Sequence, residues 1–70
     1  MKTVADLPGA LAAHLEWLTS GGRRGTRADL WGADLGDANL RGANLRYASA
    51  NRLTVWPDGF DPATKGVIVR

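Results

Sequence analysis

The seventy-residue chain has no cysteine, which excludes a disulfide framework and any metal site built on thiolates. At this length apolar burial is scarce, so without covalent staples the routes left to stability are idealised packing and self-association. The same absence fits a reducing interior, and a cytoplasmic location is expected. There is one histidine, His14, with no second histidine or nucleophile at a recognisable spacing. It reads as a packing or surface residue rather than a ligand or general base. No run approaches the roughly eighteen apolar residues of a membrane span. The opening MKTVADLPGALAAHLEWL carries Asp6, His14 and Glu16 where a secretory signal needs an apolar centre. GGRRGTR, residues 21–27, lacks the Gly-Lys-Ser/Thr ending of a phosphate-binding loop and reads as a helix stop. No catalytic residue, metal ligand or cofactor is therefore assigned, and an enzyme is the least favoured class.

Charge is present but uneven. The net charge is +2, yet residues 5–20 hold only Asp6 and Glu16, whereas residues 21–52 hold Arg23, Arg24, Arg27, Arg41, Arg46 and Arg52 against Asp29, Asp34 and Asp37. Arginine outnumbers lysine seven to two, a bias that points to a high-GC genome such as an actinobacterium or one of its phages. The first element reads as a helix: Leu7, Leu11, Leu15 and Leu18 fall on one stripe, Asp6 is placed to cap it, Pro8 lies in the first turn, and Ser20, Gly21 and Gly22 stop it. So short a helix is marginal alone, and its leucine stripe must lie on the rest of the chain.

From Ala28 the chain counts in fives. Ala recurs at 28, 33, 38 and 43, with Leu two places later at 30, 35, 40 and 45. A strand fails where Leu30 and Ala33 are three apart. A helix fails because five residues turn a side chain by about 140° net, which scatters the leucines around the cylinder. Three extended residues followed by a two-residue bend satisfy both spacings, with every Ala and Leu inward. Asp29, Asp34, Asn39 and Asn44, each just before a Leu, are expected to bond backbone at the bends. A ladder of metal-binding carboxylates is the weaker alternative, because a cation wants several oxygens converging on one point.

The unbroken succession ADLWG, ADLGD, ANLRG and ANLRY resembles the pentapeptide-repeat family. The resemblance implies a mainly β fold, a right-handed quadrilateral β-helix of about one and a half coils, with an N-terminal capping α-helix and a C-terminal cap. One domain, 1–70, is expected: the capping helix in 1–22, the repeat in 23–57 and the C-terminal cap in 58–70. TVWPDGFDPATKGVIVR, residues 54–70, is similar to the tails that close such proteins. The fifth pentad, ASANR, places Ala50 where Leu is expected, and the sixth, LTVWP, puts Leu53 and Val55 in the inward register. The expected core is Ala28, Leu30, Ala33, Leu35, Ala38, Leu40, Ala43, Leu45, Leu53 and Val55. Only residues 28–32 over 48–52, and 33–37 over 53–57, gain a stacked neighbour.

Outward positions are free of packing, and Trp31, Arg41, Arg46 and Tyr47 form the candidate partner surface, since Trp, Tyr and Arg are enriched among interface hot spots. Trp31 could equally lean on the N-terminal helix or the tail. GVIVR, residues 66–70, is β-prone and could pair within the monomer or with another chain, so a homo-oligomer, a dimer first, is expected. The favoured function is a non-catalytic protein-protein interaction or assembly module with a protein partner, such as a phage or bacterial accessory protein. The alternative, a nucleic-acid-binding or topoisomerase-modulating protein, is disfavoured by the short length and the positive charge. Aspartates interleaved with the arginines interrupt any basic stripe, and no membrane partner is expected.

Overall fold

Asp6 starts helix α1, which spans Leu7–Thr19 in a computed structural model that describes residues 3–70. The expected N-terminal element begins at residue 1, and residues 1 and 2 lie outside the described residues. The Asp6 carboxylate accepts from the Gly9 N–H at 3.0 Å, and Pro8 falls in the first turn, where a missing N–H costs nothing. At the far end the Ser20 N–H donates to Glu16 O at 3.0 Å, and its hydroxyl accepts the Arg24 N–H at 2.9 Å. Among the described residues no helix is long and apolar enough to cross a membrane.

The inward face of α1 is not the leucine stripe as expected. Leu7 and Leu11 pack on the core, but Leu15 is 47% exposed and the buried residue of the helix is His14, at 0%. The reason is angular: at about 100° per residue, His14 lies within about 20° of Leu7 and Leu15 about 80° away. The face formed by Leu7, Leu18 and Leu11 therefore continues onto the histidine at the edge opposite Leu15.

His14 joins this helix to the repeat. Its Nδ1 accepts the Ala28 N–H at 3.0 Å, so Nε2 carries the proton and donates to Arg46 O, 2.9 Å away. Beside it, the Thr26 N–H donates to Ala13 O at 3.1 Å. That approach needs Gly25, at φ +73°, because a Cβ there would overlap Ala13 O and Trp17 N.

Each of the four leucine pentads closes on the same bend. The N–H of Ala33, Ala38, Ala43 and Ala48 donates to the carbonyl of Leu30, Leu35, Leu40 and Leu45 at 2.9–3.1 Å. Asp29, Asp34, Asn39 and Asn44 each accept, through Oδ1, the N–H two residues on at 3.1–3.2 Å, the Asx turn anticipated from their positions. After four bends the chain returns beside its start. Leu30 N–H donates to Ser49 O at 2.7 Å and Ser49 N–H to Ala28 O at 3.0 Å, a parallel bridge of Asp29 with Ser49. Ala28, Leu30, Ala33, Leu35, Leu40 and Leu45 are buried together with Ala48, Ala50 and Val67, while Ala38 and Ala43 are partly buried against them.

The second stacked pair is one residue out of the expected register. Residues 33–37 over 53–57 would set Thr54 beside Asp34, but Asp34 bridges Val55. Without a leucine at position 50 the next bend starts at Asn51, whose carbonyl accepts the Thr54 N–H at 3.0 Å. Thr54 then turns inward, 7% exposed, its hydroxyl donating to Leu30 O at 2.6 Å and accepting the Asn51 N–H at 3.2 Å. Leu53 and Val55, expected in the core, are 65% and 37% exposed. The slip moves one inward position to the residue between them, and a one-residue shift reverses which side chains face in.

Strand β1, Ser49–Ala50, pairs in parallel with β2, Ile68–Val69, in the register Ser49 to Ile68 and Ala50 to Val69. The β-prone tail thus pairs within the monomer. Trp56 and Phe60 stack at 5.0 Å and pack on the core.

The expected mainly β, right-handed quadrilateral β-helix is corrected here: the described residues form one thirteen-residue helix and two strands of two residues each. Each pentad stays extended for about three residues before bending, and strand pairing needs a neighbour along that length. Of the four leucine pentads only the first two find one, so residues 38–47 stay in turns and irregular backbone.

Two substitutions test these joints. His14→Ala strands the Ala28 N–H and Arg46 O, and at about 1–3 kcal/mol per unsatisfied buried group the expected loss is about 3 kcal/mol. For a domain of this size that lowers the melting temperature by more than about 10 °C. His14→Gln, able to reach one of the two groups, should fall between; a loss under about 1 kcal/mol for the alanine variant would show that the helix is held otherwise. Thr54→Val keeps the shape but removes the hydroxyl, and urea denaturation should report a loss of about 1–2 kcal/mol.

Candidate functional site

The histidine of the chain is occupied by the fold. Both ring nitrogens of His14 bond backbone, and among the described residues every buried side-chain nitrogen or oxygen has a hydrogen-bond partner. Among them, too, no group of three or more His, Asp or Glu residues could hold a metal ion. What remains is the outer surface.

Trp31 is 47% exposed and is held by the next layer of the chain, not by the helix: its Nε1–H donates to Ser49 Oγ at 2.8 Å. The ring borders a shallow depression shared with Arg27, Asp29, Ser49 and Arg70. Two residues before Ser49, Tyr47 is 53% exposed. Its N–H donates to Gly66 O at 2.9 Å, and the Arg46 guanidinium lies over its ring, 5.7 Å from the centroid. Cation and aromatic face thus form one preformed contact.

The backbone of Tyr47 is the unusual feature of this surface. Tyr47 is the last residue of its pentad, where the first and third pentads have Gly32 and Gly42. Those glycines take φ of +65° and +71°, and Tyr47 adopts +65°. Among the described residues it is the one non-glycine with positive φ, a conformation that costs an L-residue roughly 1–2 kcal/mol.

Arg41 stands apart from this group. It lines a groove between the third and fourth pentads and the segment 57–65, with Asp58, Phe60 and Lys65 on the opposite wall. The four residues singled out from sequence therefore divide: Arg46 and Tyr47 touch, Trp31 is fixed to nearby Ser49, and Arg41 lines a depression that adjoins the one bordered by Arg46. The positive φ of Tyr47 was open to inference from its alignment with Gly32 and Gly42. The groove was foreshadowed by the two pentads that lack a stacked neighbour, but its far wall depends on the path of residues 57–65.

The model of the pentapeptide-repeat family, in its eight-copy form, matches residues 26–53, the block in which Ala and Leu recur every five residues. No curated protein and no solved structure matches the chain.

Tyr47→Gly relieves the strained backbone while leaving the bend intact, so it should stabilise the protein by roughly 0.5–1 kcal/mol. A chemical melt showing destabilisation instead would mean that the ring contributes more packing than its exposure suggests.

Proposed function

We propose that this chain is a non-catalytic binding module whose repeat holds Tyr47, Arg46 and Trp31 rigidly toward a protein partner, with Arg41 on an adjoining groove. One observation carries the reading. Tyr47 keeps an aromatic ring half exposed at a backbone position where two sister pentads use glycine. Strain retained in a small chain with little stability to spare is the signature of a residue kept for what it touches. The neighbours fit that role: an arginine already over the tyrosine ring and a tryptophan anchored by its indole N–H present large, low-entropy contact area.

A nucleic-acid partner is the less favoured reading. Asp29 and Asp34 are exposed among the arginines, which interrupts the continuous positive stripe that phosphate backbones require.

The test is affinity purification from an extract of the encoding organism, with wild-type, Tyr47→Gly and Trp31→Ala proteins as baits. Recovery of a specific protein should fall by about tenfold with either variant, equivalent to a hot-spot loss of roughly 1.4 kcal/mol. Because Tyr47→Gly is expected to fold better than wild type, its loss of partner cannot be blamed on unfolding. Equal recovery by all three baits would refute the assignment of this surface.

A further inference from the structure

The four leucine pentads are unequally satisfied along one edge. In the first, Ala28 O and Leu30 N–H bond Ser49 at 3.0 and 2.7 Å; in the second, Ala33 O and Leu35 N–H bond Val55 at 2.9 and 2.8 Å. The equivalent groups of the third and fourth pentads are Ala38 O, Leu40 N–H, Ala43 O and Leu45 N–H. None of these four has a hydrogen-bond partner among the described residues. The alanines respond accordingly: Ala28 and Ala33, covered by the next layer, are 7% and 0% exposed, whereas Ala38 and Ala43 are only partly buried.

The chain passes nearby without filling the edge. Between Pro57 and Val67 it bonds mostly to itself, through Phe60 N–H to Pro57 O at 3.1 Å, Lys65 N–H to Asp61 O at 3.2 Å and Val67 N–H to Pro62 O at 3.0 Å. It meets the main chain of the fourth pentad only at its last residue, where Gly66 O accepts the Tyr47 N–H at 2.9 Å. Two adjoining depressions that share Ala43 and Lys65 are left above the third and fourth pentads, the first bordered by Arg41, Asp58 and Lys65 and the second by Arg46 and Lys65. Together they make a groove floored by residues 38–45. All four border residues are exposed. Three cations against one acid make the rim positive, and a row of unpartnered main-chain donors and acceptors is a template for an added strand.

We propose that this groove binds an extended acidic peptide segment of a protein partner, which pairs with the main chain at Ala38–Leu40 and Ala43–Leu45. Such a segment spans about two pentads and bends where Gly42 bends the repeat. It sets small apolar side chains over Ala38 and Ala43 and carboxylates toward Arg41, Arg46 and Lys65. The inference rests on the binding-module reading and adds to it the site and the chemistry of what is bound.

Amide hydrogen exchange, followed by NMR on the full chain, tests it directly. The probes are acetylated decapeptides that alternate Ala or Val with Asp or Glu around a central Gly. Two controls carry N-methylated alternate amides or Lys in place of every acid. In the free protein the Leu40 and Leu45 amides should exchange rapidly and those of Leu30 and Leu35 slowly. The acidic peptides should slow Leu40 and Leu45 by more than about tenfold and leave Leu30 and Leu35 unchanged. Neither control should do so, and the double substitution Arg41→Glu, Lys65→Glu should weaken binding by about tenfold at low salt. No slowing with the acidic peptides, or equal slowing with the N-methylated control, would overturn the proposal. Slow exchange of Leu40 and Leu45 that depends on protein concentration would overturn it as well, by showing that a second copy covers the edge. The two readings fail separately: an intact partner interaction in the groove double variant, still lost in Tyr47→Gly, removes the groove proposal and leaves the binding module standing.

Discussion

The rest of the molecule depends on one buried imidazole. His14 reaches from α1 to the first pentad at Ala28 and to the end of the fourth at Arg46, so a single ring spans the opening and closing corners of one circuit of the chain. A leucine in its place would bury comparable apolar area but could not satisfy an N–H on one side and a carbonyl on the other. Fully satisfied buried polar groups specify geometry in a way that apolar contacts do not, because misplacement costs the full desolvation of each stranded group. The helix is thus placed with a defined rotation and height above the repeat, and Leu7 and Leu11 pack from there.

Where the repeat weakens, side-chain hydrogen bonds take over from the leucines. At the fifth pentad the bend has no central leucine, and Asn51 with Thr54 rebuild it one residue later. Asn51 Oδ1 accepts the N–H of Gly32 at 2.9 Å, while the Thr54 hydroxyl caps the Leu30 carbonyl. The first pentad is therefore tied to the layer above it by polar side chains as well as by backbone. The consequence is a register that the five-residue count does not anticipate, with Leu53 and Val55 turned outward.

The surface carries two departures from the economy of the repeat, and both bear on binding. Tyr47 occupies a backbone conformation suited to glycine, and the third and fourth pentads leave main-chain groups without partners. Each is a local cost in a chain too short to carry many. They lie on connected parts of the molecule: Arg46 stacks on Tyr47 and also borders the groove above the fourth pentad.

Much of this protein was legible in the order of its residues. The five-residue spacing of Ala and Leu, which neither helix nor strand accommodates, determined the bends, their Asx hydrogen bonds and the inward leucines, because each is made within a few residues of itself. Asp6, Pro8 and the glycines after Ser20 determined the helix and its ends for the same reason. Only the tertiary structure decided that His14 and not Leu15 faces the core, that Thr54 displaces Leu53 and Val55, and that the strands amount to two residues each. It alone set the positive rim beside the main-chain edge at Ala38 and Ala43. Those outcomes depend on which distant segment lies opposite, and a residue facing in or out by one position, or a strand paired or unpaired, is settled by that neighbour and not by local spacing.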